Sequence, residues 1–149
     1  MKICLVCSTG GHFLAAYALK DFWDKCERFW VTFKGPDTSC LLNDEKAYFA
    51  YSPTNRNVKN LIKNIFFAIK VLKAEKPDIV ISTGAGVSVP FIYIGRFLGA
   101  RTIYIESLTR VGDLSLSGKL VYPIVSDMLV QWPELKEKYV KAKFVGQVI

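Results

Sequence analysis

The chain has 149 residues, enough for one domain with a sizeable core. Hydrophobic residues make up 51% and charged residues 22%, which excludes a disordered or low-complexity protein. The net charge of +7 points to an anionic partner, whether nucleic acid, anionic lipid or a phosphorylated ligand.

Residues 2–7 form an apolar run that predicts a buried first strand. The run is too short for a signal-peptide core, so a cytoplasmic protein is expected. It ends in the turn Ser8-Thr9-Gly10-Gly11-His12. A helix is predicted over 13–26, a strand rich in aromatic and β-branched residues over 28–34, a turn at Gly35-Pro36-Asp37 and a short strand over 46–51. Residues 57–75 carry a long helical pattern that Lys76-Pro77 ends. A compact strand at 78–82 runs into Thr83-Gly84-Ala85-Gly86, and an apolar helix then reaches Gly99. A strand at 101–106, a polar loop at 107–118 and a short helix follow, and strands at 127–132 and 143–145 close the pattern. No run approaches the ~20 apolar residues of a membrane span, and the best, 87–98, is broken by Pro90 and Arg96.

Apolar strands alternating with helices predict an α/β fold. The expected form is a Rossmann-like parallel sheet with helices on both faces, in one domain over residues 1–149. Right-handed crossovers place every strand-to-helix turn on one edge, where such sheets bind ligands. Cys4 and Cys7 are spaced as in redox or zinc motifs, but residues three apart on a strand face opposite sides. No second such pair follows and there is only one histidine, so they are read as core thiols.

Two glycine turns carry the functional reading. In the first, Gly10 and Gly11 let backbone N–H groups approach an anion, the following helix adds its positive end, and Ser8 and Thr9 add hydroxyls. The second, Thr83-Gly84-Ala85-Gly86-Val87-Ser88, repeats the design, with Ser88 placed to cap its helix. Either turn alone suits a tight bend as well as a ligand. Neither is a dinucleotide fingerprint: His12 occupies the second glycine position of the first, and Val89 the third position of the second. Neither has a P-loop lysine after its glycines, so no cofactor is expected. Glu106 ends a strand on the same edge, near Arg110, and suits either a base or a capping role. His12 is the only histidine and suits either a base or a packing role.

The helix at 57–75 carries a second signal. Val58, Leu61, Ile62, Ile65, Ala68, Ile69 and Leu72 fall on one face. Lys59, Lys63, Lys70 and Lys73 fall within roughly 80° opposite it, with Phe66 among them and Phe67 beside them. Such a face is either solvated or set against an anionic membrane. No nucleic-acid motif accompanies the charge, so nucleic acid is not an expected partner.

The two turns, together with Tyr104-Ile105-Glu106-Ser107, Gly118-Lys119-Leu120-Val121-Tyr122-Pro123 and Gln131-Trp132-Pro133-Glu134, carry a resemblance. The chain resembles the acceptor-binding subunit of the split N-acetylglucosaminyltransferase of dolichol-linked oligosaccharide synthesis. It is similar also to bacterial capsule and exopolysaccharide relatives, and more distantly to the amino-terminal half of the peptidoglycan-precursor glycosyltransferase. The resemblance implies half of an inverting GT-B glycosyltransferase, in which no metal is expected because helix dipoles and side chains stabilise the leaving diphosphate. It implies a second subunit for the nucleotide sugar and a polyprenyl-diphosphate-linked saccharide as acceptor. Gly10, Gly11 and His12 would meet the acceptor diphosphate, with His12 a candidate base. Residues 84–88 and Glu106 would border the acceptor sugar. The eukaryotic subunit carries an amino-terminal anchor that this chain's start lacks. Attachment is therefore expected through the lysine face, peripherally on the inner face of the plasma membrane. The chain ends where a one-chain enzyme would cross to its second domain, which also suits two subunits. Two other readings stand beside this one: a non-catalytic scaffold that activates a partner, and a stand-alone nucleotide-dependent enzyme.

Overall fold

Alternate residues of the first strand, β1 (Lys2–Val6), face two different cores, and the whole architecture follows from that. Ile3, Leu5 and Cys7 join one cluster with Phe13, Trp23 and Trp30; Cys4 and Val6 join the other with Phe29, Val31 and Phe91. Both faces are therefore covered, as a parallel sheet requires. The two cysteines sit on opposite faces as expected, and burial pushes the Cys7 thiol up to about 12.

The computed structural model describes residues 1–148. After β1 come α1 (Gly11–Tyr17), α2 (Lys20–Trp23), β2 (Glu27–Thr32), α3 (Pro36–Leu41), β3 (Ala47–Phe49) and α4 (Val58–Glu75). Then follow β4 (Ile79–Ser82), α5 (Ser88–Phe97), β5 (Arg101–Ile105), α6 (Leu116–Val121), β6 (Asp127–Val130), α7 (Pro133–Lys138) and β7 (Ala142–Phe144). The strands make one sheet in the order β3-β2-β1-β4-β5-β6-β7, and every neighbouring pair is parallel. The chain builds outward from β1 to β3, returns through α4, and builds outward the other way from β4. The order reverses between β1 and β4, and there the loops at the carboxyl ends part to leave a crevice. The expected Rossmann-like sheet with helices on both faces is the fold observed.

Four local expectations need correction. The helix predicted over 13–26 is two helices, because the Trp23 indole N–H donates to the Ala16 carbonyl at 3.0 Å and buries its ring against Trp30. The turn at Gly35 opens the short helix α3, whose Thr38 hydroxyl accepts the Gly35 N–H. Residues 133–138, where no element is predicted, form α7, with Pro133 in its first turn. The buried face of α4 is rotated from the predicted apolar face: Asn64, Ala68, Val71, Leu72 and Glu75 point inward. Two polar residues take that side because they have partners there. The Asn64 amide bonds both the N–H and the carbonyl of Tyr51, at 2.9 and 3.0 Å. Glu75 pairs with Lys2 and Lys46 and accepts the Tyr48 hydroxyl. Val58, Leu61, Ile62 and Phe66 are left exposed as a result, with Val58 at 69% and Phe66 at 68%. Phe67 turns the other way and packs edge-on against Phe91 and Tyr51, so it leaves the lysine face.

Candidate functional site

A cleft of about 950 Å³ opens at the carboxyl edge of the sheet, over the reversal between β1 and β4. Ser8, Thr9 and His12 line it from the first glycine turn, and Ala85 and Gly86 from the second. Lys34, Arg56 and Arg110 reach it from the loops after β2, β3 and β5. Among the described residues no carboxylate lines it. Four exposed apolar side chains, Val58 and Leu61 of α4 and Leu116 and Leu120 of α6, also line it and give it an apolar rim. A smaller hollow of about 450 Å³ lies at the opposite edge, between the carboxyl ends of α4 and α5, where the strand-to-helix loops do not reach.

The two glycine turns hold each other. The His12 ring Nδ1 lies 2.7 Å from the Thr83 carbonyl oxygen. A carbonyl only accepts, so Nδ1 carries a proton, and in the neutral imidazole the lone pair is then on Nε2. The Thr83 hydroxyl returns a bond to the His12 carbonyl. Gly84 sits against the ring with a φ of +120°; a Cβ there would stand 2.6 Å from Cε1 and 2.7 Å from Nδ1. Glycine is therefore required twice over, by the backbone and by the imidazole. Beneath them, burial, with the Glu106 charge adding to it, pushes the Tyr104 phenol well above its usual range.

Other predicted site residues are occupied by the protein itself. The Gly10 N–H donates to the Asp37 carboxylate at 2.8 Å, so that amide is not open to a phosphate. Gly11 is exposed beside it but does not line the cleft. Thr83 and Ser88 are buried; the Ser88 hydroxyl donates to the Gly84 carbonyl and accepts from Ser82, while the Gly84 N–H donates to the Ser82 hydroxyl. These residues shape the second turn and do not face a ligand. Glu106 is only 1% exposed. One carboxylate oxygen accepts the Ser107 N–H at 2.8 Å. The other accepts the Ser115 N–H at 2.8 Å and hydroxyl at 2.9 Å. Glu106 is thus the knot that closes the loop 106–115, and it does not line the cleft.

Sequence reasoning missed Lys34 and Arg56. Both lie in loops that leave the carboxyl ends of strands, so the rule that placed the glycine turns on this edge also places them. The loop bearing Arg56 is tied down by the start of α4: Asn57 caps the helix by accepting the Asn60 N–H, and the Asn60 amide donates to the Pro53 carbonyl. It touches the second turn as well, because a Cβ on Gly86 would stand 3.1 Å from the Thr54 hydroxyl. The loop bearing Arg110 is held by buried Gln131, which donates to the Glu106 carbonyl, and by Trp132, whose indole N–H donates to the Leu108 carbonyl. Among the described residues no helix is long and apolar enough to cross a membrane.

Solved structures share this architecture. The MurG of Acinetobacter baumannii superposes with a TM-score of 0.75 at 19% identity, over 89% of this chain and 42% of that one. The UDP-GlcNAc 2-epimerase from Methanocaldococcus jannaschii gives 0.76 at 16% identity, over 99% of this chain and 46% of that one. The class defined by the fold is the Rossmann-like parallel α/β sheet shared with those structures, and this chain spans less than half of each. Within that class, the family model described as oligosaccharide biosynthesis protein Alg14 like matches residues 45–148, and the chain belongs to that family. A Debaryomyces hansenii relative is 33% identical over 181 aligned residues, which cover 99% of this chain and 76% of the relative. The human relative is 31% identical over 118 residues, covering 70% of this chain and 55% of that protein. For the rat relative the matched share of its length is 46%. All three are named UDP-N-acetylglucosamine transferase subunit ALG14.

Proposed function

We propose that the chain is the acceptor-binding and membrane-recruiting subunit of a two-chain inverting glycosyltransferase. A partner subunit brings the nucleotide sugar, which the relatives' names suggest is UDP-N-acetylglucosamine. The acceptor is a saccharide on a polyprenyl diphosphate. The observation that carries this reading is the cleft itself. It joins an open imidazole nitrogen, three cations without a carboxylate and an apolar rim in one hollow. A lipid-linked diphosphate sugar presents the complementary sequence of hydroxyls, negative charge and hydrocarbon.

In the reaction, an acceptor hydroxyl attacks the anomeric carbon of the donor from the face opposite the nucleotide. The new C–O bond forms as the bond to the nucleotide diphosphate breaks, and the configuration inverts. His12 Nε2 takes the hydroxyl proton; the Thr83 carbonyl on Nδ1–H holds the tautomer and steadies the imidazolium that results. Seating both substrates across one interface supplies proximity.

The chain would meet the membrane through the exposed strip of α4. Val58, Leu61, Ile62 and Phe66 enter the interface while Lys59, Lys63, Lys70 and Lys73 meet anionic headgroups. The strip begins at the cleft rim, so a lipid-borne acceptor in the cytoplasmic leaflet of the plasma membrane reaches the cleft without leaving it. The test is transfer of labelled N-acetylglucosamine to a polyprenyl-diphosphate acceptor by this chain, its partner and the mixture. Turnover by the mixture alone is expected. Full turnover by this chain alone contradicts the two-chain reading, and undiminished turnover of the complex with His12→Ala leaves only a scaffold.

A further inference from the structure

We propose that Lys34, Arg56 and Arg110 form a three-sided clamp for a diphosphate group. On this assignment side-chain cations carry the ligand's charge, and the amide of the first glycine turn does not. The clamp lies in the proposed acceptor cleft and rests on that reading for the ligand's role in the reaction, though not for its chemistry.

Three observations converge on it. The cations come from three separate loops to one hollow that no carboxylate lines, and among the described residues none of them makes an ion pair. A diphosphate diester carries two negative charges on adjacent phosphorus centres, which suits donors approaching from several sides; a monophosphate diester would leave two of three cations unmatched. Next, the Asp37 carboxylate already holds the Gly10 N–H, so the first turn presents a negative group where a phosphate would have to sit. Last, Arg56 has a φ of +52°, a left-handed backbone that glycine or asparagine adopts at less cost. The loop is fixed in this shape by the Asn60–Pro53 and Asn64–Tyr51 bonds. Arginine costs more there than glycine would, as Lys76 and Ala85 also do at their positive φ, and of the three only Arg56 brings a guanidinium to the lining of the cleft.

That conflict gives a discriminating variant. Arg56→Gly relieves the backbone while removing the guanidinium. Titration calorimetry of the purified chain with inorganic pyrophosphate reads the clamp directly. Lys34→Ala, Arg56→Gly and Arg110→Ala are each expected to weaken binding about tenfold, with Arg56→Gly melting no lower than the wild type. Lys136→Ala removes the same charge from a residue that does not line the cleft, and is expected to bind like the wild type. Wild-type affinity in Arg56→Gly, or an equal loss in Lys136→Ala, overturns the clamp. Farnesyl diphosphate and UDP separate the two sources of a diphosphate. Tighter binding of farnesyl diphosphate supports the clamp as a lipid-acceptor site. Tighter binding of UDP, lost in the same three variants, supports the clamp and overturns the acceptor reading. A complex that transfers normally with all three cations replaced overturns the clamp and leaves that reading intact.

Discussion

Replacing Glu106 with Gln separates a structural carboxylate from a catalytic one. The two oxygens accept three bonds, from the Ser107 N–H, the Ser115 N–H and the Ser115 hydroxyl, in a site closed to water. A glutamine has the same shape but one side of its amide donates. Whichever way it turns, its NH₂ faces a backbone N–H that cannot rotate. The Ser115 hydroxyl oxygen accepts the Gly118 N–H and has a second lone pair for the amide, but the backbone N–H of Ser107 or Ser115 still loses its acceptor. One buried donor is left unpaired, at a cost of about 1–3 kcal/mol. For a chain of this size, 2 kcal/mol corresponds to a fall in melting temperature of about 4–8 °C. Hydrogen exchange across residues 107–118 should quicken, since the knot that closes that loop has loosened. Transfer by the reconstituted complex should fall only as far as Arg110 and its loop lose order. Thermal denaturation and the transfer assay on one preparation measure both. A melting temperature within about 1 °C of the wild type, together with abolished transfer, would refute the structural role and restore Glu106 as a base.

Other perturbations have equally definite outcomes. Burial alone would raise the Glu75 pKa, but Lys2, Lys46 and Tyr48 outweigh it and hold the carboxyl at about 2, against an ordinary 4.5. A depressed carboxylate stabilises fully above pH 4.5 and loses that contribution as the pH falls toward 2. The wild type should therefore lose about 3 kcal/mol more than Glu75→Gln across that window; parallel urea-denaturation curves at pH 5 and pH 2.5 would contradict it. Gly84→Ala drives a Cβ into the His12 ring, so transfer should drop by about 100-fold or more, with the nucleotide-sugar KM unchanged. Wild-type kcat in that variant would show that the imidazole is not held as described. Reversing charge at Lys59, Lys63 and Lys70 should cut pelleting with anionic liposomes sharply, each lysine being worth about 1 kcal/mol near such a surface; unchanged pelleting would exclude the α4 strip.

Much of this fold is readable from the chain because its strands are apolar on both faces and its turns are marked by glycine. β1, β4 and β5, with the turns after β1 and β4, follow from those signals alone. The face of α4 was misplaced for a reason that periodicity cannot supply. Asn64 and Glu75 look like surface residues until their partners Tyr51, Lys2 and Lys46 are brought beside them by residues distant in sequence. For Glu106 the position at a strand end is visible, but the Ser115 backbone that bonds its carboxylate arrives only when the following loop folds back. His12 stands out in the sequence by being alone after a glycine turn, whereas the bond at its Nδ1 depends on a carbonyl 71 residues away. The Gly10 amide was expected to be open, and the Asp37 that closes it sits in a helix that the sequence presents only as a turn.

The central claim is that a lipid-linked acceptor lies in the hollow between the two glycine turns of this chain. Photocrosslinking tests it most directly: a polyprenyl-diphosphate sugar with a photoreactive group on its first isoprene is irradiated with the purified chain, and labelled peptides are mapped by mass spectrometry. Label confined to the rim formed by Val58, Leu61, Leu116 and Leu120, and displaced by unlabelled acceptor, is the predicted result. Label at the opposite edge, around Lys76 and Leu98, or label that unlabelled acceptor does not displace, would contradict it.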